Sequence, residues 1–174
     1  DDAATLAELV TINAATTGAI TLNALTIAAN YSGSVSDLTA AFTGITSHTG
    51  TLTVTGTAPT VAQANVLDAV TTGAITATIT DDATDLATLD GTGNAYTITL
   101  NNDDAATLAE LVTINAATTG AITLNALTIA ANYSGTAADL VSAFTGTVTT
   151  HTGTVTITDE PTVAQLKTIN DAST

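Results

Sequence analysis

The chain has 174 residues and a net charge of −15, because 16 acidic residues face a single basic residue, Lys167. One positive charge cannot neutralise a phosphate backbone or an anionic bilayer surface, so the composition argues against nucleic acid and membranes as partners. The sequence contains no Cys, which excludes disulfides, and no apolar run approaches the ~20 residues of a membrane-inserted helix.

The sequence contains a long internal repeat. Residues 1–33 recur without change at 103–135, and weaker similarity continues towards the end of the chain. We interpret residues 1–174 as a single repeat (solenoid) domain with a 102-residue superperiod, in which 1–102 is one copy and 103–174 is a truncated second copy. Each copy contains shorter repeats of about 25 residues, a length typical of solenoids. The abrupt start and stop predict an excerpt from a longer array.

Each short repeat begins with a helix-start pattern. A hydroxyl or carboxylate residue is followed three positions later by Glu, Gln or Asp, which is the spacing of a capping box or a close relative of one. The pattern occurs at Thr5/Glu8, Ser34/Asp37, Thr60/Gln63, Asp82/Asp85, Thr107/Glu110, Thr136/Asp139 and Thr162/Gln165. We therefore predict seven short helices, which need neighbouring repeats because isolated helices under ~12 residues are marginal in water.

Runs in which apolar residues alternate with Thr follow the predicted helices, and this period of two predicts strands. The runs are 20–22, 51–55, 75–80, 97–100, 122–124 and 154–158. A glycine stands before each run, where we expect a helix-to-strand turn. A further apolar run, Leu25–Ala28 with its copy Leu127–Ala130, follows a bend and leaves an extra strand open as an interpretation.

Alternating helices and strands with short connections predict parallel strands joined by right-handed crossovers. The expected fold class is α/β: a right-handed solenoid of about seven short helix–strand repeats, with a parallel sheet on one side. The outer face of that sheet would present rows of Thr. Neither end has an obvious polar cap, so we expect neighbouring repeats to stack end to end on this chain.

Four phrases of the sequence resemble repeats of giant secreted or cell-surface bacterial proteins of the marine cyanobacterial type. They are PTVAQLKTIN (161–170), TTGAIT (16–21 and 71–76), SGTAADL (134–140) and HTGTVTITD (151–159). The resemblance covers nearly the whole chain but is one of repeats, not of an active site. It implies an extracellular or cell-surface location and a structural, adhesive or motility-related role.

Acidic pairs at the junctions between repeats are the candidate metal ligands. Their oxygen atoms could hold Ca²⁺, the only cofactor that the sequence suggests. The candidates are Asp81, Asp82, Asp103, Asp104, Asp159 and Glu160. The alternative interpretation is that these residues cap helices and solvate turns, since neither an EF-hand loop nor a glycine-rich calcium repeat occurs.

Aromatic residues and histidines occupy equivalent positions in the two copies. We expect His48 and His151 to be solvated turn residues rather than metal ligands. The larger rings are expected to fill the widest part of the core; they are Tyr31, Tyr133, Phe42 and Phe144.

No catalytic motif is present, so we do not expect an enzyme. The favoured function is a structural repeat segment of a large extracellular protein, acting as a spacer, a surface layer, or an adhesion or motility scaffold. One alternative is a calcium-dependent adhesin module, and another is an ice- or water-ordering surface made of Thr ladders. Surface glycans are a further possible partner, and the many hydroxyl residues could carry O-linked sugars.

Overall fold

The structure is a computed structural model that describes residues 2–45 and 47–173. Over these ranges the chain is a mixed α/β protein in which nine short helices alternate with seven short strands. The elements of the first half are α1 (Leu6–Ala14), α2 (Ala24–Ala28), β1 (Tyr31–Gly33), α3 (Val35–Phe42), β2 (Leu52–Val54), α4 (Val61–Asp68) and β3 (Ile75–Asp81). Those of the second half are α5 (Ala83–Leu86), β4 (Ala95–Leu100), α6 (Leu108–Ala117), β5 (Ile122–Thr123), α7 (Ala126–Ala130), β6 (Tyr133–Gly135), α8 (Ala137–Phe144), β7 (Val155–Ile157) and α9 (Val163–Ala172).

The strands form parallel sheets in which the order of the strands is their order in the sequence. One sheet has the order β1-β2-β3-β4-β5, and β6 and β7 form a second, two-stranded sheet. Tyr31 lies opposite Leu52, which in turn lies opposite Ile75. At least one helix lies between consecutive strands, as a parallel connection requires. The predicted α/β class and parallel strand pairing are therefore confirmed.

The chain forms two compact units, Asp1–Thr78 and Ile79–Thr174, and the division falls within β3. In the first unit, α3 packs against both α1 and α4. In the second unit, α6 packs against α5 and α8, and α8 also packs against α9. Among the described residues, no helix is both long enough and apolar enough to cross a membrane.

All seven predicted helix starts are N-caps in the structure. Thr5, Thr60, Thr107 and Thr162 form complete capping boxes with the Glu or Gln three positions later. At Ser34 and Thr136 the partner is Asp, whose shorter side chain accepts a hydrogen bond from the cap hydroxyl instead. The local capping chemistry therefore places each of these helices independently of its packing.

Strand alternation is clearest in β3, where Ile75, Ala77 and Ile79 are buried and Thr76 and Thr78 are exposed. Strand β4 follows the same rule. The apolar sides of β3 and β4 join the core with the buried faces of the helices.

The structure decides one assignment that the sequence left open, adds two strands that were not predicted, and removes one predicted strand. The run Leu25–Ala28 is helical, because the Asn23 side chain accepts from the Thr26 amide and starts α2. The strand Tyr31–Gly33 and its copy β6 were not predicted, since a Tyr-Ser-Gly sequence has no alternating pattern. The run at Ile20 lies outside a strand, although the identical run at Ile122 pairs with β4.

Four of the six glycines that precede predicted strands serve close backbone approach; they are Gly50, Gly73, Gly120 and Gly153. A Cβ added at Gly50 would lie 1.9 Å from the Ala29 carbonyl oxygen, and one at Gly73 would lie 2.2 Å from the Gly50 oxygen. Of the six glycines predicted as turns, Gly93 has a positive φ, and the other five do not. At the four close-approach glycines, the main chains of neighbouring repeats touch and leave no room for a side chain.

We expect Gly73→Ala to destabilise the protein by about 3 kcal/mol, because the new methyl group overlaps backbone atoms that cannot move aside. Gly18→Ala is the matched control, since Gly18 lies in the same TTGAIT phrase and its added Cβ meets only the Thr16 hydroxyl, at 3.4 Å. Urea unfolding of both variants measures the difference. Equal midpoints for the two would contradict the close-approach explanation.

Candidate functional site

An acidic cleft of about 550 Å³ lies in the second unit, between the start of α5 and the segment that leads into α6. Asp82, Asp103 and Asp104, three of the predicted metal ligands, line this cleft together. Asp85 and Glu110, which the sequence placed only as capping partners, complete a set of five carboxylates. The structure therefore brings acids from two junctions to one place.

The start of α5 holds the tightest group of acids. Asp82 is the N-cap, and its Oδ1 accepts a hydrogen bond from the Asp85 amide at 2.8 Å. The Asp81 carboxylate accepts from the Asp82 amide at 3.1 Å. One carboxylate oxygen from each of Asp81, Asp82 and Asp85 can be chosen so that all three lie within 4.8 Å of one another. The hydrogen bonds at the start of α5 hold these carboxylate oxygens close together.

Glu110 is held in the cleft by hydroxyl and amide donors. Its Oε2 accepts from the Thr107 amide and the Thr107 hydroxyl, both at 2.8 Å. Its Oε1 accepts from the Thr84 hydroxyl on α5 at 3.1 Å. These hydrogen bonds, led by the one from the Thr107 backbone, lower the pKa of the Glu110 carboxyl. Glu110 therefore keeps its negative charge at neutral pH.

The remaining predicted pair does not join this cleft. Asp159 follows β7, and its Oδ1 accepts a hydrogen bond from the Ala137 amide at the start of α8, at 2.8 Å. Glu160 is exposed. The capping interpretation describes Asp159 well, since it satisfies an orphan amide in the first turn of a helix.

Carboxylates and hydroxyls are the groups that the cleft offers to a ligand. The only Lys or Arg in the sequence is Lys167, and it forms an ion pair with Asp171 one turn along α9. Oxygen ligands of this kind suit a hard divalent cation such as Ca²⁺.

The two histidines lie in the core, so the expectation of solvated turn residues was wrong. His48 is fully buried beside Tyr31 and Phe42, with ring centroids 5.5 and 4.5 Å away. His151 is equally buried against Tyr133 and Phe144. The aromatic rings fill the core as predicted, and each imidazole completes the cluster.

Hydrogen bonds to the neighbouring repeat hold the His48 ring. Nε2 lies 2.9 Å from the Ala29 carbonyl oxygen, and Nδ1 lies 3.0 Å from the Thr71 hydroxyl. Because a carbonyl only accepts, Nε2 carries the proton, and the Thr71 hydroxyl beside Nδ1 donates to the Gly50 carbonyl at 2.8 Å. His151 makes the same contact to the Ala131 carbonyl, at 2.8 Å.

Burial lowers the pKa of both imidazoles, and the hydrogen bond from each ring to a carbonyl opposes that effect only in part. Burial also raises the pKa of Tyr133 to about 12, with a smaller contribution from the negative charge of Glu110. The Tyr133 hydroxyl donates to the Ala106 carbonyl at 2.7 Å. These rings therefore act as uncharged core residues at neutral pH.

Hydroxyl groups form short columns across the strands. Ser32, Thr53 and Thr76 occupy successive register positions on β1, β2 and β3 in the first unit. Thr99 and Thr123 form an equivalent pair on β4 and β5 in the second unit. Neighbouring hydroxyls within a column are separated by the strand spacing of ~4.8 Å. The predicted Thr ladders are therefore present as geometry, and their use in ordering water or ice stays a prediction.

Asp85 and Glu110 were not predicted from the sequence as members of the acidic cleft. Both are the third residue of a helix, and the two helices start 25 residues apart in the sequence. The signal that could have found them is this shared position, since first-turn acids of neighbouring repeats face the same side. Comparison with protein-family models, curated proteins and solved structures finds no match for this chain.

We expect the free energy of unfolding to fall as pH drops from 7.5 to 5.5. The imidazoles titrate near pH 6.5 when unfolded and at a lower pH when folded, so the unfolded state binds more protons in this window. Stability from this source is fully present above pH ~6.5 and is lost as pH falls towards the folded pKa. Urea midpoints at several pH values measure the slope.

The double variant His48→Gln/His151→Gln is the control, because Gln cannot take up a proton. We expect lower stability overall and a much flatter pH dependence between 5.5 and 7.5. Hydrogen bonds from Thr5 and Thr107 lower the pKa values of Glu8 and Glu110, respectively. The contribution of these two carboxylates to stability is therefore lost only at pH values below this window. A double variant with the original slope would show that other groups are responsible.

Proposed function

We propose that this chain is a structural repeat segment of a large extracellular or cell-surface protein, in which it acts as a spacer, a surface layer, or an adhesion or motility scaffold. In this proposal the chain is a right-handed solenoid, and its load is carried by contacts between consecutive repeats. The role is mechanical, not enzymatic.

The observation that supports this proposal most directly is the spacing of the non-local hydrogen bonds. Examples include the bond between His48 and Ala29, which are 19 positions apart, and the bond between Asn13 and Thr43, which are 30 positions apart. These separations are about one repeat. Such bonds connect each repeat to its immediate neighbours in sequence, which is the contact pattern of a quasi-one-dimensional array.

Composition supports the same proposal. The strand faces carry Thr hydroxyls and the helix starts carry acids, so the surface repels other copies of the chain at a net charge of −15. The resemblance of the repeat phrases to giant secreted bacterial proteins points the same way, and it is the only basis for the proposed location. Neighbouring repeats are the principal partners in this proposal, and surface glycans are secondary.

Proteins with one, two and three tandem copies of residues 1–102 test the spacer role. We expect the maximum dimension from small-angle X-ray scattering to increase linearly with copy number, because each copy adds a fixed rise along the stack. A compact globule would instead follow roughly the 0.38 power of chain length. Measurements in low and high salt serve as the control for extension by charge repulsion. Globule-like scaling in both salts would overturn the spacer role.

The acidic cleft favours a second candidate function, a calcium-dependent adhesin module. Five carboxylates from the start of α5, from α6 and from the segment between β4 and α6 converge there, and no Lys or Arg is among the residues that line the cleft. A divalent cation would relieve that repulsion and would link α5 to α6.

If this second function holds, Ca²⁺ should raise the melting temperature more than Mg²⁺ does. At a free Ca²⁺ concentration roughly 100 times Kd, the expected stabilisation is about 2.7 kcal/mol. Asp82→Asn should abolish the response while preserving the helix, because Asn is as good an N-cap as Asp. Asp159→Asn, outside the cleft, should retain it. Equal responses from the two variants would exclude a site at α5.

A further inference from the structure

The two identical stretches of sequence have different surroundings in the structure. Residues 1–33 and 103–135 do not differ at any position, so a difference in burial between them reports what each stretch contacts. Ile12 is 47% exposed, whereas its counterpart Ile114 is fully buried. A residue that is buried in one copy and exposed in the other therefore marks a surface that has a contact partner in only one copy.

In the second unit, a helix and a strand from residues 79–101 cover this surface. Helix α5 packs against α6, the helix that carries Ile114. Strand β4 pairs with β5 in parallel, with Ile98 opposite Ile122. The covering segment is thus one complete repeat, which supplies both a helix and a strand.

Polar contacts complete this interface. The Thr118 hydroxyl donates to the Tyr96 carbonyl at 2.7 Å, and the Thr119 amide donates to the Asn94 carbonyl at 2.7 Å. The Asn125 side chain donates to the Asn101 carbonyl and is buried. A close approach at the Tyr96 carbonyl also requires Gly120, whose added Cβ would lie 2.2 Å from that oxygen.

The equivalent surface of the first unit is open. We call it the α1 face and define it by Ile12, Thr16, Ile20 and Asn23, of which Ile20 is half-buried and the others are exposed. Beside Ile12 and Asn23 lies a concave region of about 560 Å³. The α1 face therefore presents one exposed side of α1 and, beside it, the segment at Ile20, which is not in a strand. It also presents the polar groups whose counterparts in the second copy form the interface.

We propose that the α1 face is a docking surface for a repeat with the sequence of residues 79–101. The occupant would place a short helix against Ile12 and a parallel strand beside Ile20. It would also accept hydrogen bonds from Thr16 and Thr17 through carbonyls equivalent to those of Tyr96 and Asn94. Identical residues already form this interface with residues 79–101 in the second unit, which supports this choice of occupant. The source of the occupant, a further repeat of an array, rests on the proposed function.

An extended protein tests this proposal. A second copy of residues 79–102 is placed directly before Asp1, which reproduces the junction between Asn102 and Asp103. In the original chain, we expect Ile12→Ala to leave the melting temperature nearly unchanged and Ile114→Ala to lower it by roughly 5–15 °C. In the extended protein, Ile12→Ala should lower the melting temperature about as much as Ile114→Ala does.

Hydrogen exchange gives a second readout that needs no destabilising variant. The Thr119 amide is hydrogen-bonded to Asn94, so it should exchange slowly in both proteins. The Thr17 amide should exchange quickly in the original chain and at the slow rate of Thr119 in the extended protein. The control is an extension that carries Leu86→Asp in the added copy, which should leave Thr17 unprotected.

Two outcomes would overturn the docking proposal. One is fast Thr17 exchange together with a neutral Ile12→Ala in the extended protein. The other is concentration-dependent protection of Thr17 in the original chain that Ile12→Asp removes, since the occupant would then be a second copy of the chain. Thr17 protection combined with globule-like scaling of tandem copies would uphold docking and overturn only the spacer role.

Discussion

The structure depends on one constraint: each repeat satisfies the main-chain and apolar groups of the next. The helices span between 4 and 10 residues, too short to persist alone in water. Strands of two to seven residues are equally unstable without partners. Parallel pairing, helix packing and main-chain contact at glycine positions such as Gly50 and Gly73 all act between consecutive repeats. Stability is therefore a property of neighbouring pairs of repeats.

Polar side chains strengthen this dependence. Asn13 donates to the carbonyls of Ala40 and Thr43 at the end of α3, where a helix leaves acceptors without partners. His48 reaches the Ala29 carbonyl in the same way, and Tyr31 donates to the Ala4 carbonyl. Each of these bonds crosses from one repeat to another. A repeat that loses its neighbour thus leaves buried polar groups unsatisfied in addition to exposing apolar surface.

The acidic cleft arises from the same repetition. Helix starts in neighbouring repeats lie side by side, so the capping acids of α5 and α6 meet without any motif in the sequence that brings them together. Capping and cation binding use the same carboxylate oxygens, and a single arrangement can serve both. A scaffold role and a calcium requirement are therefore compatible in one molecule.

Features that depend on a few adjacent residues could be predicted from the sequence. The seven capping residues, the alternation of β3 and β4 and the α/β class could be predicted because side-chain hydrogen bonds at N-caps and period-two burial are local effects. Asp82, Asp103 and Asp104 were named as candidate metal ligands from the sequence, and the fold brings these three into one cleft. Asp85 and Glu110 were not named, because their meeting depends on how two helices lie in space.

Features that depend on contacts between repeats could not be predicted from local sequence. His48 was expected in solvent, yet it lies in the core, because burial of an imidazole requires a carbonyl from another repeat that the local sequence does not reveal. Ile20 and Ile122 occur in identical sequences, and only Ile122 is in a strand, because a strand exists where a partner supplies its hydrogen bonds. Local chemistry determines where helices and strands can form. Contact between repeats determines which of them do form and which side chains are buried.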